Sequence, residues 1–180
     1  PYLLRGTKEA DERLWRAICD EELIVIHGDY DTDGITASAL LASILRKNGA
    51  RVECYLPHRI DDGYGLTVES ITRAAKEGCG LLLTVDCGIT SHEAAAAALQ
   101  YGLDLIITDH HTPDLEKLNA LAVVDPKLPG APPETTELAG VGVAYKVAQA
   151  FLKKGRELGY DCDEGELLRG PDQVEQHEAD

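Results

Sequence analysis

Strand-like and helix-like patterns alternate along this chain, and no other feature limits its fold as much. Leu23-Ile24-Val25-Ile26, Leu81-Leu82-Leu83-Thr84-Val85, Leu105-Ile106-Ile107-Thr108 and residues 121–124 are short apolar runs, the pattern of buried strands. Residues 51–56 alternate and read as another strand. Between these runs the period changes. Ala37, Leu40, Leu41, Ile44 and Leu45 fall at i, i+3, i+4, i+7 and i+8, one face of a helix that Asn48-Gly49 stops. Further helices are predicted over residues 67–76, from Ser91 as N-cap to about residue 100, and briefly near 115–118. Gly140-Val141-Gly142 opens a last one, with Val143, Val147, Ala150 and Phe151 on one face. Residues 7–20 set Leu14, Trp15 and Ile18 among charges and read as a surface helix. Five alternations without a hairpin signal predict an α/β fold: a doubly wound, mostly parallel five-stranded sheet with helices on both faces.

The first strand runs into His27-Gly28-Asp29-Tyr30-Asp31-Thr32-Asp33-Gly34, so this stretch is a strand-to-helix turn at the carboxyl edge of the sheet, where such folds bind ligands. Three aspartates so close together cost free energy unless cations neutralise them. Carboxylates with an imidazole suit Mg²⁺ or Mn²⁺. The plainer reading is an acidic turn that caps the helix, since Asp commonly does so. The other strand ends decide between the two. The third strand ends on Asp86, and the fourth on Asp109-His110-His111. Parallel strands bring these ends to one edge. Asp31 and Asp33 flank a single residue and can serve two neighbouring ions, with Asp86 placed to bridge them. His110 and His111 point different ways, so that one can ligate while the other faces substrate. Two such ions suit a phosphoryl displacement.

Composition narrows the partners. The 180 residues, 44% hydrophobic, suffice for one core, and the net charge of −15 argues against binding nucleic acid by bulk charge. No apolar run reaches membrane-spanning length, and no signal-peptide pattern is present. The cysteines at 19, 54, 79, 87 and 162 form no C-x-x-C pair and read as free thiols in a reducing cytosol, so a cytoplasmic location is expected. A chain without methionine that starts at Pro1 reads as a piece of a longer protein.

Asp109-His110-His111 is the signature that names the DHH phosphoesterases. His27-x3-Asp31-x-Asp33, Val85-Asp86-Cys87-Gly88 and Gly140-Val141-Gly142-Val143-Ala144 resemble that family's other N-terminal motifs. The stretches at 28–34, Asp62-Gly63-Tyr64-Gly65-Leu66, 84–89, 108–111 and 138–144 resemble the RecJ-type single-strand-specific exonucleases, and the likeness spans residues 22–152. It implies a processive 5′-to-3′ exonuclease on single-stranded DNA, using Mn²⁺ or Mg²⁺ in DNA repair and recombination, beside a single-strand-binding protein and a helicase. By position, Asp33, Asp86 and His110 would share one ion. Asp31 and Asp86, with Asp29 or His27, would hold the other, and His111 would lie at the water or scissile phosphate. Asp86 and His111 are thus the expected catalytic residues. The family's further ligating aspartate, in an Ala-Asp-x-x-Pro-like stretch, has no counterpart between Phe151 and Asp180. The expected division is a helical extension over 1–21, a DHH catalytic domain over 22–154, and an acidic tail or linker over 155–180.

Other residues carry two readings. Arg59 and Tyr64 sit in the loop after the second strand, either to hold a substrate phosphate and sugar or base, or as a local salt bridge and core lid. Gly140 and Gly142 either expose helix N–H groups to a substrate anion or permit tight packing. His58, His92 and His177 read as surface residues, and Cys87 as a packing residue. Another DHH phosphoesterase, such as a pyrophosphatase or short-oligonucleotide phosphatase, and a non-catalytic replication scaffold are the competing functions. A glycine-rich nucleotide-binding turn is excluded by the aspartates that stand in its place.

Overall fold

A computed structural model of the chain describes residues 4–57, 65–114 and 116–162. The elements run α1 Thr7–Cys19, β1 Leu23–Gly28, α2 Thr32–Lys47, β2 Arg51–Tyr55, α3 Val68–Lys76, β3 Cys79–Val85, α4 His92–Tyr101, β4 Asp104–Thr108, β5 Ala122–Val124 and α5 Gly140–Glu157. The five strands form one sheet in the order β2-β1-β3-β4-β5. Every pairing is parallel, with Gly28 beside Val85, Val85 beside Thr108 and Thr108 beside Val124 at the carboxyl edge. Sequence order reverses direction between β1 and β3. That reversal opens a crevice outside the carboxyl ends of these two strands, the usual ligand position in open α/β sheets.

The period-two pleat divides the core. Leu81, Leu83 and Val85 of β3 face α1, α2 and α5 together with Ile24, Ile26 and Ile106. Leu82, Leu105 and Ile107 face the other way, onto Ile71 and Ala74 of α3 and the alanines of α4. Parallel strands covered on both faces explain why the runs are nearly uninterrupted in their apolar character. Small side chains on α4, with Ala94, Ala95 and Ala98 buried, let that helix lie close to the sheet.

Several local expectations change. The helix expected near 115–118 is absent at 116–118, while Leu115 lies outside the described residues. The loop before α5 contains a 3₁₀ turn, Pro133–Thr135, started by the proline pair whose fixed φ suits such a turn. Ser91 stands at the N-cap of α4, but its hydroxyl makes no capping bond. Thr67 does cap α3, accepting from the Ser70 N–H. The segment after Gly155 continues α5 to Glu157 and then folds back, burying Cys162 and stacking Tyr160 on Trp15. Residues 163–180 lie outside the described residues. The helix read as a surface element places Leu14 and Trp15 within the main core.

Candidate metal centre

The turn after β1 delivers three carboxylates in three directions. Asp29 is 3% exposed, and its Oδ1 accepts the Tyr30 N–H at 2.7 Å. Asp31 caps α2, its Oδ1 accepting the Gly34 N–H at 2.9 Å. The capping reading is therefore correct for this residue, which also belongs to one of the ligand groups described below. Asp33 reaches across to the start of α5. There the Gly140 N–H donates to Oδ2 at 2.7 Å and the Val141 N–H to Oδ1 at 2.8 Å.

Asp86 ends β3 in the left-handed region, with φ 61°. Asp tolerates that conformation better than most L residues, and such backbone outliers gather at functional sites. Its N–H donates to the Thr108 carbonyl, which fixes it to the sheet edge. The side chain is 1% exposed. Burial first, then the charges of Asp33 and Asp31, push its carboxyl up to about 7. Oδ1 lies 3.0 Å from His110 Nε2 but has no donor aligned on it. The same Nε2 lies 3.7 Å from Asp33 Oδ2, so both carboxylates converge on one imidazole nitrogen. A buried carboxylate oxygen without an aligned donor, surrounded by acidic and imidazole ligands, is the chemistry a divalent cation satisfies.

Asp109 organises the end of β4. It is 1% exposed, and Oδ2 accepts the Ile89 N–H at 2.9 Å. Oδ1 accepts the N–H groups of His110 at 2.7 Å and His111 at 3.1 Å, and also faces His111 Nδ1 at 2.7 Å. A ring nitrogen that close to a carboxylate carries the proton, so Asp109 fixes the His111 tautomer and leaves Nε2 to the crevice. Partial burial disfavours the charged ring, but the Asp109 hydrogen bond and charge, with Asp86 and Asp29, outweigh it and raise His111 above the ordinary histidine range. An Asp109→Asn substitution is therefore expected to lower the His111 titration midpoint. Imidazole proton shifts followed against pH in metal-free buffer measure this; an unchanged midpoint would show that Asp109 does not hold the ring.

Two groups of ligand atoms emerge, each with atoms within 4.8 Å of one another: Asp86 with His110 and His111, and Asp29 with Asp31 and Asp86. Asp86 belongs to both. Neither includes Asp33, expected to share an ion with Asp86 and His110, which meets the first group only at His110 Nε2, 3.7 Å away. Neither includes Asp125, which ends β5 one strand beyond Asp109 and is buried, with its carboxyl raised to about 6 chiefly by that burial. His27 is also outside both groups. It shares the β1 face of Val25, and its Nε2 lies 3.2 Å from the Gly65 carbonyl while its ring tilts against Tyr55. Of the alternatives at that position, Asp29 is the one beside Asp31 and Asp86. The Gly140 N–H, expected to face a substrate anion, is given to Asp33; the helix N-terminus binds an anion, but one of the chain's own. Arg59, Tyr64 and His58 lie outside the described residues, as does His177. His92 pairs with Asp114 at 2.7 Å. The Cys87 thiol is buried, donates to the His27 carbonyl and is pushed well up by burial, which fits packing. The role of Asp109 went unread in the sequence, although its place directly before two histidines was the available signal.

This is a doubly wound α/β domain with an acidic and histidine-bearing centre, of the kind that can hold divalent cations, at its topological switch point. The DHH family, N-terminal domain, matches residues 23–168, and the chain belongs to that family. It is 43% identical over 152 residues to the single-stranded-DNA-specific exonuclease RecJ of Bacillus subtilis, covering 84% of this chain and 19% of that protein. A crystal structure of exonuclease RecJ bound to manganese superposes with a TM-score of 0.79 at 38% identity, covering 88% of this chain and 40% of that one. RecJ of Thermus thermophilus gives TM-scores of 0.73 with Mn²⁺ and 0.53 with Mg²⁺, at 35% and 29% identity; each match covers 88% of this chain, and 22% and 18% of theirs. The chain thus spans about a fifth of the length of the Bacillus relative. Its acidic and imidazole groups are of the kind that hold Mn²⁺ or Mg²⁺. Among the described residues no helix is long and apolar enough to cross a membrane.

Proposed function

We propose that this chain is the catalytic core of a 5′-to-3′ exonuclease that degrades single-stranded DNA with two Mn²⁺ or Mg²⁺ ions. The observation that carries the proposal is Asp86, one carboxylate common to two ligand groups. Asp86 and His110 are assigned to one ion, together with Asp33, which stands outside both ligand groups but reaches His110 Nε2 at 3.7 Å, and Asp29, Asp31 and Asp86 are assigned to the other. Ions held there supply Lewis-acid charge for the phosphoryl oxygens and lower the pKa of water. The chain's own residues do the rest. Asp86 keeps the two positions close, and the Gly140 and Val141 N–H groups hold Asp33. His111, oriented by Asp109 and charged over a wider pH range than an ordinary histidine, donates to a phosphate oxygen. Arg59, Tyr64 and the Gly142 end of α5 are assigned to substrate. Residues 22–154 form the proposed catalytic domain, with 1–21 before it and 155–180 as tail or linker. The proposal extends to work in the cytoplasm in DNA repair and recombination, beside a single-strand-binding protein and a helicase, and the likeness to RecJ is what supports it.

The test uses an oligonucleotide labelled at one end. A longer protein carrying this chain is expected to shorten the single strand from its 5′ end in Mn²⁺ or Mg²⁺, to spare the duplex and to stop in EDTA. Digestion of duplex at the same rate, or in EDTA, would overturn the proposal. The 180-residue chain alone is expected to bind Mn²⁺ in a calorimetric titration. Its net charge of −15 repels a polyanion, so alone it should cut more slowly than the longer protein, by roughly tenfold or more.

A further inference from the structure

The geometry points to Gly140 and Val141 as positioning residues of the metal centre, rather than as substrate contacts: the first turn of α5 is a clamp that sets the spacing between Asp33 and Asp86. This rests on the metal reading above. Two independent observations meet there. The first is the pair of hydrogen bonds from the Gly140 and Val141 N–H groups, one to each oxygen of Asp33, at 2.7 and 2.8 Å. Two donors on two oxygens fix both the position and the rotation of a carboxylate, and a helix N-terminus favours its negative charge. The second is steric. A Cβ at Gly140 would lie 2.5 Å from Asp86 Oδ1, 2.7 Å from its Cγ and 2.8 Å from its Cβ. The absent side chain is thus the space that the Asp86 carboxylate occupies. These are not flexible atoms, because Asp86 is buried and its backbone is tied to Thr108.

One residue therefore touches both carboxylates assigned to the same ion. Its N–H holds Asp33, and its missing Cβ admits Asp86. His110 Nε2, 3.0 Å from Asp86 and 3.7 Å from Asp33, approaches both carboxylates from a third element. None of the three ligands comes from α5, yet α5 determines where two of them stand. Outer partners of this kind commonly change metal affinity when removed, although they never touch the ion.

Two substitutions separate the two parts of the clamp. Gly140→Ala places a methyl group against Asp86. Val141→Pro deletes one donor to Asp33 in the first turn of α5, where the backbone N–H has no partner within the helix. Calorimetric Mn²⁺ titration of the 180-residue chain is expected to show affinity weakened by about 10–100-fold in each variant. The exchange-coupled electron paramagnetic resonance signal of a manganese pair should give way to that of isolated ions. Far-UV circular dichroism and melting in EDTA report whether the fold persists. A merely structural role would lower the melting temperature while leaving the spectrum of the loaded protein unchanged. If Gly140→Ala fails to melt cooperatively, Val141→Pro decides alone. Wild-type affinity and a wild-type coupled signal in the folded variants overturn the clamp while leaving the metal reading intact. A wild-type chain that binds no Mn²⁺ overturns both.

Discussion

Asp86→Asn is expected to abolish the linkage between the two proposed ions and to reduce the proposed exonuclease activity by on the order of a thousandfold. The substitution preserves shape but replaces one charged oxygen with an amide nitrogen, a donor that repels a cation. Because Asp86 belongs to both ligand groups, both positions lose a ligand in one step. The same substitution should stabilise the chain when no metal is present. The Asp86 carboxyl is raised from 3.8 to about 7, so the folded state holds a proton that the unfolded state gives up at lower pH. That contribution is fully present below the unfolded value and is lost as pH rises through about 7. Metal-free wild type should therefore weaken as pH rises across this window, and Asp86→Asn should weaken less. At pH above that window, in EDTA, the variant is expected to melt higher by roughly 5 °C. Adding Mn²⁺ should reverse the ranking, since only wild type gains binding energy. A variant that retains near wild-type cleavage at saturating Mn²⁺ would show that Asp86 does not bridge.

Trp15→Ala should produce the largest loss of stability, about 3–5 kcal/mol, which for a chain of this length corresponds to roughly 10 °C in melting temperature. Trp15 is 2% exposed and lies between two rings, with centroids 4.5 Å from Phe151 and 4.4 Å from Tyr160. Its indole N–H donates to the Phe151 carbonyl at 2.8 Å. A Cβ at Gly155 would lie 2.4 Å from the Trp15 ring, so α5 approaches α1 only because that position is glycine. Removing the indole leaves a cavity between two helices and deletes the hydrogen bond that ties α1 to α5. Urea or thermal melts of the metal-free chain measure the loss. A change below about 1 kcal/mol would place α1 outside the cooperative unit, as expected of an appended surface helix.

The behaviour of α1 marks one boundary of what local pattern reveals. Leu14, Trp15 and Ile18 identify an amphipathic helix, but an amphipathic helix seen alone does not disclose its partner. The partner is α5, over a hundred residues away, together with the returning segment at Tyr160. The strands behaved differently. Their apolar runs between turn signals report burial directly, and a parallel sheet needs no information beyond the crossovers between them. The same holds for the aspartates and histidines at strand ends: once the strands are parallel, their carboxyl ends share an edge.

Residue types at strand ends therefore determined, without tertiary information, the α/β class, the edge that carries the site and its hard, oxygen-rich chemistry. Which of His27 and Asp29 joins Asp31 was left open by spacing, because both fit the motif. The end of the strand separates them: His27 is still within β1, on the face of Val25 and near the Gly65 carbonyl, whereas Asp29 follows the last β1 residue, Gly28, and lies beside Asp31 and Asp86. Gly140 was legible as a helix-opening glycine, but its two contacts were not, since a hydrogen bond to Asp33 and a space for Asp86 exist only after residues separated by 107 and 54 positions meet. Patterns of period two or 3.6 encode which way a side chain faces within its own element. Ligand distances, an orphaned carboxylate oxygen and a raised pKa arise from several elements packed together, so they were set only when the sheet, α2 and α5 closed on one edge.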